Sequence, residues 1–218
     1  MTRTANLSMA LSDEQAMILD NAREFCRSKS DITAVRSLLK SATGFNPEVW
    51  QEMIELGWTG MVIPEKHGGS EIGIGSAIPL VENMGRYLLC TPFISSTIAA
   101  QTIIRGGSES QQSQWLPAVA QGSVGTLALL DNEDWGATDT DCMLMPDQKD
   151  FILQGKKFFI ADAEVADFFI VLAKQSDSLV LVIVEASQLP ESAIDKKILV
   201  DETKRAANID FSGIKVSR

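Results

Sequence analysis

A chain of 218 residues and 23.7 kDa, 45% hydrophobic and 22% charged, has room for one large or two small domains and is too balanced for a disordered tail or a coiled-coil rod. Its net charge of −10, from 19 basic against 29 acidic residues, argues against a nucleic-acid partner, because phosphate binding needs a basic excess. No apolar run approaches the ~20 residues of a membrane span, residues 1–10 lack the layout of a secretory signal, and three widely spaced cysteines (Cys26, Cys90, Cys142) read as reduced thiols of a cytoplasmic protein.

Helical spacing dominates the first part of the chain. Ser12 reads as an N-cap with Gln15 as its capping-box partner, and Ala16, Leu19, Ala22, Phe25 and Cys26 fall on one face of the helix that follows. Asn46-Pro47-Glu48 is a second start, with a cap, a proline in the first turn and an acid beside the positive helix end. Val49, Trp50, Met53, Ile54 and Leu56 supply its apolar stripe and Gly57 its stop. Further helices are expected over residues 76–89, 92–105 and 108–121. After Gly122 the apolar runs become short: 126–130, 151–153, 157–160, 168–173, 179–184 and 208–211, broken by polar turns. No helices alternate with these strands, so the pattern predicts an antiparallel barrel or sandwich rather than a parallel nucleotide-binding sheet. The chain therefore reads as α+β: an N-terminal all-α domain over residues 1–122, then a small antiparallel β-barrel or sandwich domain over 123–218.

Residue types that carry chemistry give little by themselves. The run Gly68-Gly69-Ser70-Glu71-Ile72-Gly73-Ile74-Gly75 has no following Lys-Ser/Thr and no preceding strand, so it reads as a loop between helices rather than a phosphate cradle. His67 is the one histidine of the chain, which excludes a His-only metal site. It reads as a hydrogen-bonded loop residue. Cys26 and Cys90 read as core thiols, and no cysteine pair has zinc spacing. Asp131, Glu133, Asp134, Asp139 and Asp141 lack the ligand spacing and turn glycine of a calcium loop and are expected to face solvent. No metal site is assigned.

Several phrases in order resemble the acyl-CoA dehydrogenase family. They are Leu11-Ser12-Asp13-Glu14-Gln15; Trp50 to Trp58 followed by Pro64-Glu65-Lys66-His67-Gly68-Gly69; Glu82-Asn83-Met84-Gly85-Arg86; Gln114-Trp115-Leu116-Pro117 up to Gly122; Leu127-Ala128-Leu129; Gly155-Lys156-Lys157-Phe158-Phe159-Ile160; Ala166-Asp167; and Arg205 to Phe211. The resemblance implies an FAD-dependent oxidoreductase of fatty acid or steroid degradation that dehydrogenates an acyl-CoA thioester at Cα–Cβ. It also implies electron-transfer flavoprotein as acceptor and a homo- or hetero-oligomer. By position, Leu127, Leu129, Leu130, Gly136, Phe159 and Ala161 are the implied FAD contacts, and Thr91-Pro92-Phe93 with the helix after them line the acyl pocket.

Departures from the family pattern accompany this. The family's catalytic glutamate lies in a C-terminal helical domain that 218 residues are not expected to include, so no catalytic residue is assigned. Leu130 and Ala161 stand where the family carries hydroxyl side chains, and seven acids with one lysine lie between Asp131 and Asp150. A truncated chain, or a subunit completed by a partner, is one reading. A non-catalytic subunit that has lost FAD is the other. Either predicts apolar patches on faces that the family covers with further helices.

Overall fold

The computed structural model describes residues 13–133 and 139–217; the expected cap at Ser12 and the expected contact at Gly136 lie outside them. The helical part contains α1 (Asp13–Lys29), α2 (Ile32–Leu38), α3 (Pro47–Glu55), α4 (Ile78–Tyr87), α5 (Phe93–Gly106) and α6 (Glu109–Ala120). Local chemistry sets the starts. The Asn46 side chain accepts from the Glu48 N–H at 2.8 Å, and Ser108 and Gln111 close a reciprocal capping box at α6. α2 has no long apolar stripe to announce it. It begins because Asp31 accepts from both Thr33 and Ala34 N–H at 2.8 Å.

Packing refines the expected faces. α1 buries Ile18, Ala22 and Cys26 while Ala16 is exposed, and α3 buries Val49, Trp50 and Met53 while Leu56 points outward. The glycine run is a loop, as expected, and close approach explains one of its members. A Cβ on Gly69 would stand 2.0 Å from the Ile63 carbonyl oxygen, inside any allowed contact.

The β part holds β1 (Gly125–Ala128), β2 (Met143–Asp147), β3 (Asp150–Gln154), β4 (Lys156–Ala161), β5 (Phe168–Gln175), β6 (Ser178–Glu185), β7 (Ile194–Lys197), β8 (Ala206–Asp210) and β9 (Ile214–Val216). In the larger sheet β5 pairs antiparallel with β6 along its length, and β2–β3–β9 continue antiparallel. β1 joins β5 in parallel, Gly125↔Phe168 to Ala128↔Val171, and β2 meets β5 in parallel at Met143↔Lys174. The smaller sheet, β4–β8–β7, is antiparallel. The α+β class holds, with sheets that are mixed rather than wholly antiparallel. A parallel β1–β5 pair is possible because three strands intervene in sequence, enough chain for a crossover.

One apolar core runs through both parts. Phe168, Phe169, Ile170, Leu153, Ile160 and Phe211 are fully buried, each contributing roughly 1.5–3 kcal/mol relative to exposure. Trp115 of α6 lies 4.6 Å from the Phe168 ring, and the Asp167 carboxylate accepts from the Val124 N–H at 2.8 Å. These contacts fix the helices against the strands that carry the candidate site.

Candidate functional site

The segment leaving β1 runs antiparallel beside β4. The Thr126 hydroxyl donates to the Ala161 carbonyl at 2.7 Å, and the Phe158 N–H donates to the Leu130 carbonyl at 2.8 Å. A register shift between Lys157 and Ile160 bulges β4, with Phe159 at φ 50°, a left-handed conformation that a bulky residue holds only when its surroundings enforce it. Asn208 on β8 contributes to that enforcement by accepting from the Phe159 N–H at 3.1 Å. The structure thus brings five of the six implied contacts, Leu127, Leu129, Leu130, Phe159 and Ala161, onto two adjoining segments. Leu129 and Ala161 are exposed, and Leu127, Leu130 and Phe159 are half-buried. The strip they form is wholly apolar.

Beneath it lies a residue the sequence reading did not single out as functional. Lys157 is wholly buried, and its ammonium donates to the Leu129 carbonyl at 3.1 Å and the Thr140 hydroxyl at 2.8 Å while pairing with the Asp131 carboxylate. Asp131 also accepts from the Asp141 N–H at 2.5 Å. Of the acids expected to face solvent, Asp131 therefore turns inward, drawn by a charge that would otherwise be buried alone. The Gly155-Lys156-Lys157 phrase was the available signal, but only the fold says which lysine is buried. Asp139, exposed, pairs with Lys174 at 3.3 Å; the Thr140 N–H first, and Lys174 after it, hold its carboxyl below the usual range. Burial pushes the Cys142 and Cys26 thiols up to about 11, so both are inert core groups. Among the described residues no cluster of three or more His, Cys, Asp or Glu could hold a metal ion.

An apolar groove of about 420 Å³ lies between α4 and α5, walled by Ile74, Ile78, Val81, Phe93, Ile94 and Ile98. Ile78 is 61% exposed and Ile98 45%, so the groove presents apolar side chains to solvent. Phe93 lines it, whereas the Thr91 and Ser96 hydroxyls are buried without a hydrogen-bond partner among the described residues. A hydrogen bond ties the end of β4 to the helix that walls the groove. Asp162, directly after Ala161, accepts from the Ser95 hydroxyl of α5 at 2.6 Å, and burial raises its carboxyl despite that bond and the nearby Lys204. His67, expected to be a hydrogen-bonded loop residue, is buried in the loop, and its Nε2 has no hydrogen-bond partner among the described residues.

The donor set can be tested against a flavin. Leucine, alanine and phenyl side chains suit the faces of a planar ring, but they offer no hydroxyl to its polar edge, leaving that edge to backbone groups. Cations favour a diphosphate, and Lys157 beside the strip and Lys174 of β5 are both paired with carboxylates. The strip fits the ring, and these two lysines offer the diphosphate no uncancelled charge.

The family model described as "Acyl-CoA dehydrogenase, N-terminal domain" matches residues 12–123, a little over half of the chain. Acryloyl-CoA reductase (NADH) of Anaerotignum propionicum is 28% identical over 177 residues, covering 78% of this chain and 44% of that protein. The ChsE4–ChsE5 complex of Mycobacterium tuberculosis superposes with a TM-score of 0.84 at 20% identity, covering 97% of this chain and 57% of that one. The acyl-CoA dehydrogenase of Bacillus anthracis, solved in complex with FAD, does so with a TM-score of 0.78 at 20% identity, covering 97% and 37%. The chain spans less than half the length of curated relatives that it matches. It belongs to the acyl-CoA dehydrogenase family, and its residues correspond to that family's N-terminal and middle parts.

Proposed function

We propose that this chain is one part of an FAD-dependent acyl-CoA dehydrogenase assembly that introduces a Cα–Cβ double bond into an acyl-CoA thioester and passes the electrons to an electron-transfer flavoprotein. FAD would supply the hydride acceptor. The Ser95–Asp162 bond carries the reading, because it ties α5, which walls a groove suited to an apolar acyl chain, to the residue that follows Ala161 of the strip. In this assignment Leu127, Leu129, Leu130, Phe159 and Ala161 pack the flavin ring, Gly136 lies in the turn beyond, and Ile94 and Ile98 hold the acyl chain. Cations for the diphosphate and the carboxylate that takes the α-proton come from the rest of the assembly. Residues 1–122 and 123–218 form the family's helical and β domains, and a hetero-oligomer of the ChsE4–ChsE5 kind in a cytoplasmic compartment suits three buried free cysteines.

A second reading has its own observation. Lys157 and Lys174 are both neutralised and offer a diphosphate no free charge, which favours a subunit that keeps the fold without the cofactor. Absorbance near 450 nm decides between them. The chain is purified alone and after co-expression with its genomic neighbours. Flavin that copurifies with the assembly, and is lost on Leu129→Glu, supports the proposal; an assembly that forms but stays colourless supports the second reading.

A further inference from the structure

Away from the strip, a cavity of about 650 Å³ opens between α2 and the segment joining β7 to β8. Five of the chain's 19 basic residues line it, Arg36, Lys40, Lys197, Lys204 and Arg205, against a single carboxylate, Glu202. A protein of net charge −10 has acids to spare, yet among the described residues Arg36, Lys40 and Arg205 form no salt bridge. Lys197 pairs with Asp195 at 2.5 Å. Lys204 acts on the Asp162 and Asp201 carboxylates, which leaves Arg36, Lys40 and Arg205 as cations without an ion pair among the described residues; such charges repel one another, and a bound anion removes that cost.

Arg205 is held ready for such an anion. Its guanidinium donates to the carbonyls of Leu38, Leu39 and Ser41 at 3.2, 3.3 and 2.9 Å, capping the negative end of α2, which would otherwise oppose an anion. The loop wraps it tightly: a Cβ on Gly44, at φ 77°, would stand 2.7 Å from Arg205 Nε. Those bonds are to neutral carbonyls, so the position is fixed while the charge is not cancelled. Leu39, Ile198 and Leu199 give the cavity an apolar wall, and Ile198 is 97% exposed, which is unusual for a large apolar side chain.

We propose that this cavity binds a small phosphate-bearing molecule of nucleotide size, its phosphates on Arg36, Lys40 and Arg205 and its base or other flat group on Leu39, Ile198 and Leu199. Concave basic walls focus potential, guanidinium forks match phosphate oxygens, and the volume lies within the usual range of small-molecule sites. The proposal is independent of the flavin reading, since none of these residues belongs to the strip.

Isothermal titration of the full chain with ADP and with inorganic pyrophosphate, at low salt to limit screening, tests it. ADP is expected to bind saturably with one site and more tightly than pyrophosphate, which has nothing for the apolar wall. The double variant Arg36→Ala/Lys40→Ala, at exposed positions, is expected to keep its circular dichroism spectrum and lose at least about tenfold in ADP affinity. Lys149→Ala, on the β2–β3 turn, is expected to change nothing. Absence of saturable ADP binding, equal loss in both variants, or binding only of a glutamate-rich peptide in place of ADP overturns the proposal.

Discussion

Lys157 and Arg205 both tie a loop to the β part, yet they leave opposite electrostatics behind. Lys157 is enclosed completely, meets a carboxylate whose side chain is 11% exposed, and turns its whole charge inward. Arg205 meets only carbonyl oxygens and stays half-buried, so its charge remains available at a cavity wall. A cation that must be desolvated needs a counter-charge; one that keeps contact with water can be held by dipoles alone. The difference is the ground for proposing a phosphate at the α2 cavity and not at Lys157.

The largest expected effect breaks the first half of this contrast. Lys157→Met leaves Asp131 buried without its partner and should cost about 3–5 kcal/mol of unfolding free energy, read as a shift in the urea midpoint. Adding Asp131→Leu should recover most of that loss; a double variant as unstable as the single one would sink the pairing argument. Arg205→Ala removes a charged donor, whose two Nη2 hydrogens are shared among three carbonyls, and the α2 cap, and should cost about 2–3 kcal/mol, with Arg205→Lys recovering only part. If Arg205→Ala is neutral, the carbonyl clamp does not hold the loop.

Smaller effects sharpen the contrast at the strip. Restoring hydroxyls with Leu130→Thr and Ala161→Ser should raise flavin affinity of the assembly by about 2- to 10-fold per hydrogen bond formed, measured by fluorescence titration. No gain would mean that neither position faces the ring edge. Asp162 gives a pH signature. Its carboxyl is raised in the folded chain, so the folded state holds that proton to higher pH than the unfolded state does. The folded state then binds more protons in that window, and stability falls as pH rises from the ordinary carboxylate range through the raised value. Asp162→Asn should flatten that part of the profile of urea midpoint against pH, and a profile parallel to the parent's would show that Asp162 is not the group responsible.

Much of this was legible in one dimension. The cap at Asn46, the helices from residue 76 to 121 and six of the nine strands among the described residues follow from spacing and turn chemistry, because those signals act over three or four residues. α2, β2, β7 and β9 were not read, since short elements with Pro146 or paired lysines carry weak periodicity and are held by neighbours instead. At the candidate site, resemblance named the positions but not their chemistry as a set. Leu127 and Phe159 lie 32 residues apart in sequence, and only the β4 bulge aligns them.

The order of phrases along the sequence determined the family and the helices-then-strands layout, since both depend on local pattern. Which charges are cancelled was decided by tertiary structure alone. Lys157 finds Asp131 across 26 residues and Arg205 finds Leu38 across 167. Such partners meet only when the chain closes on itself, because burial, not sequence distance, sets the cost that each cation has to offset.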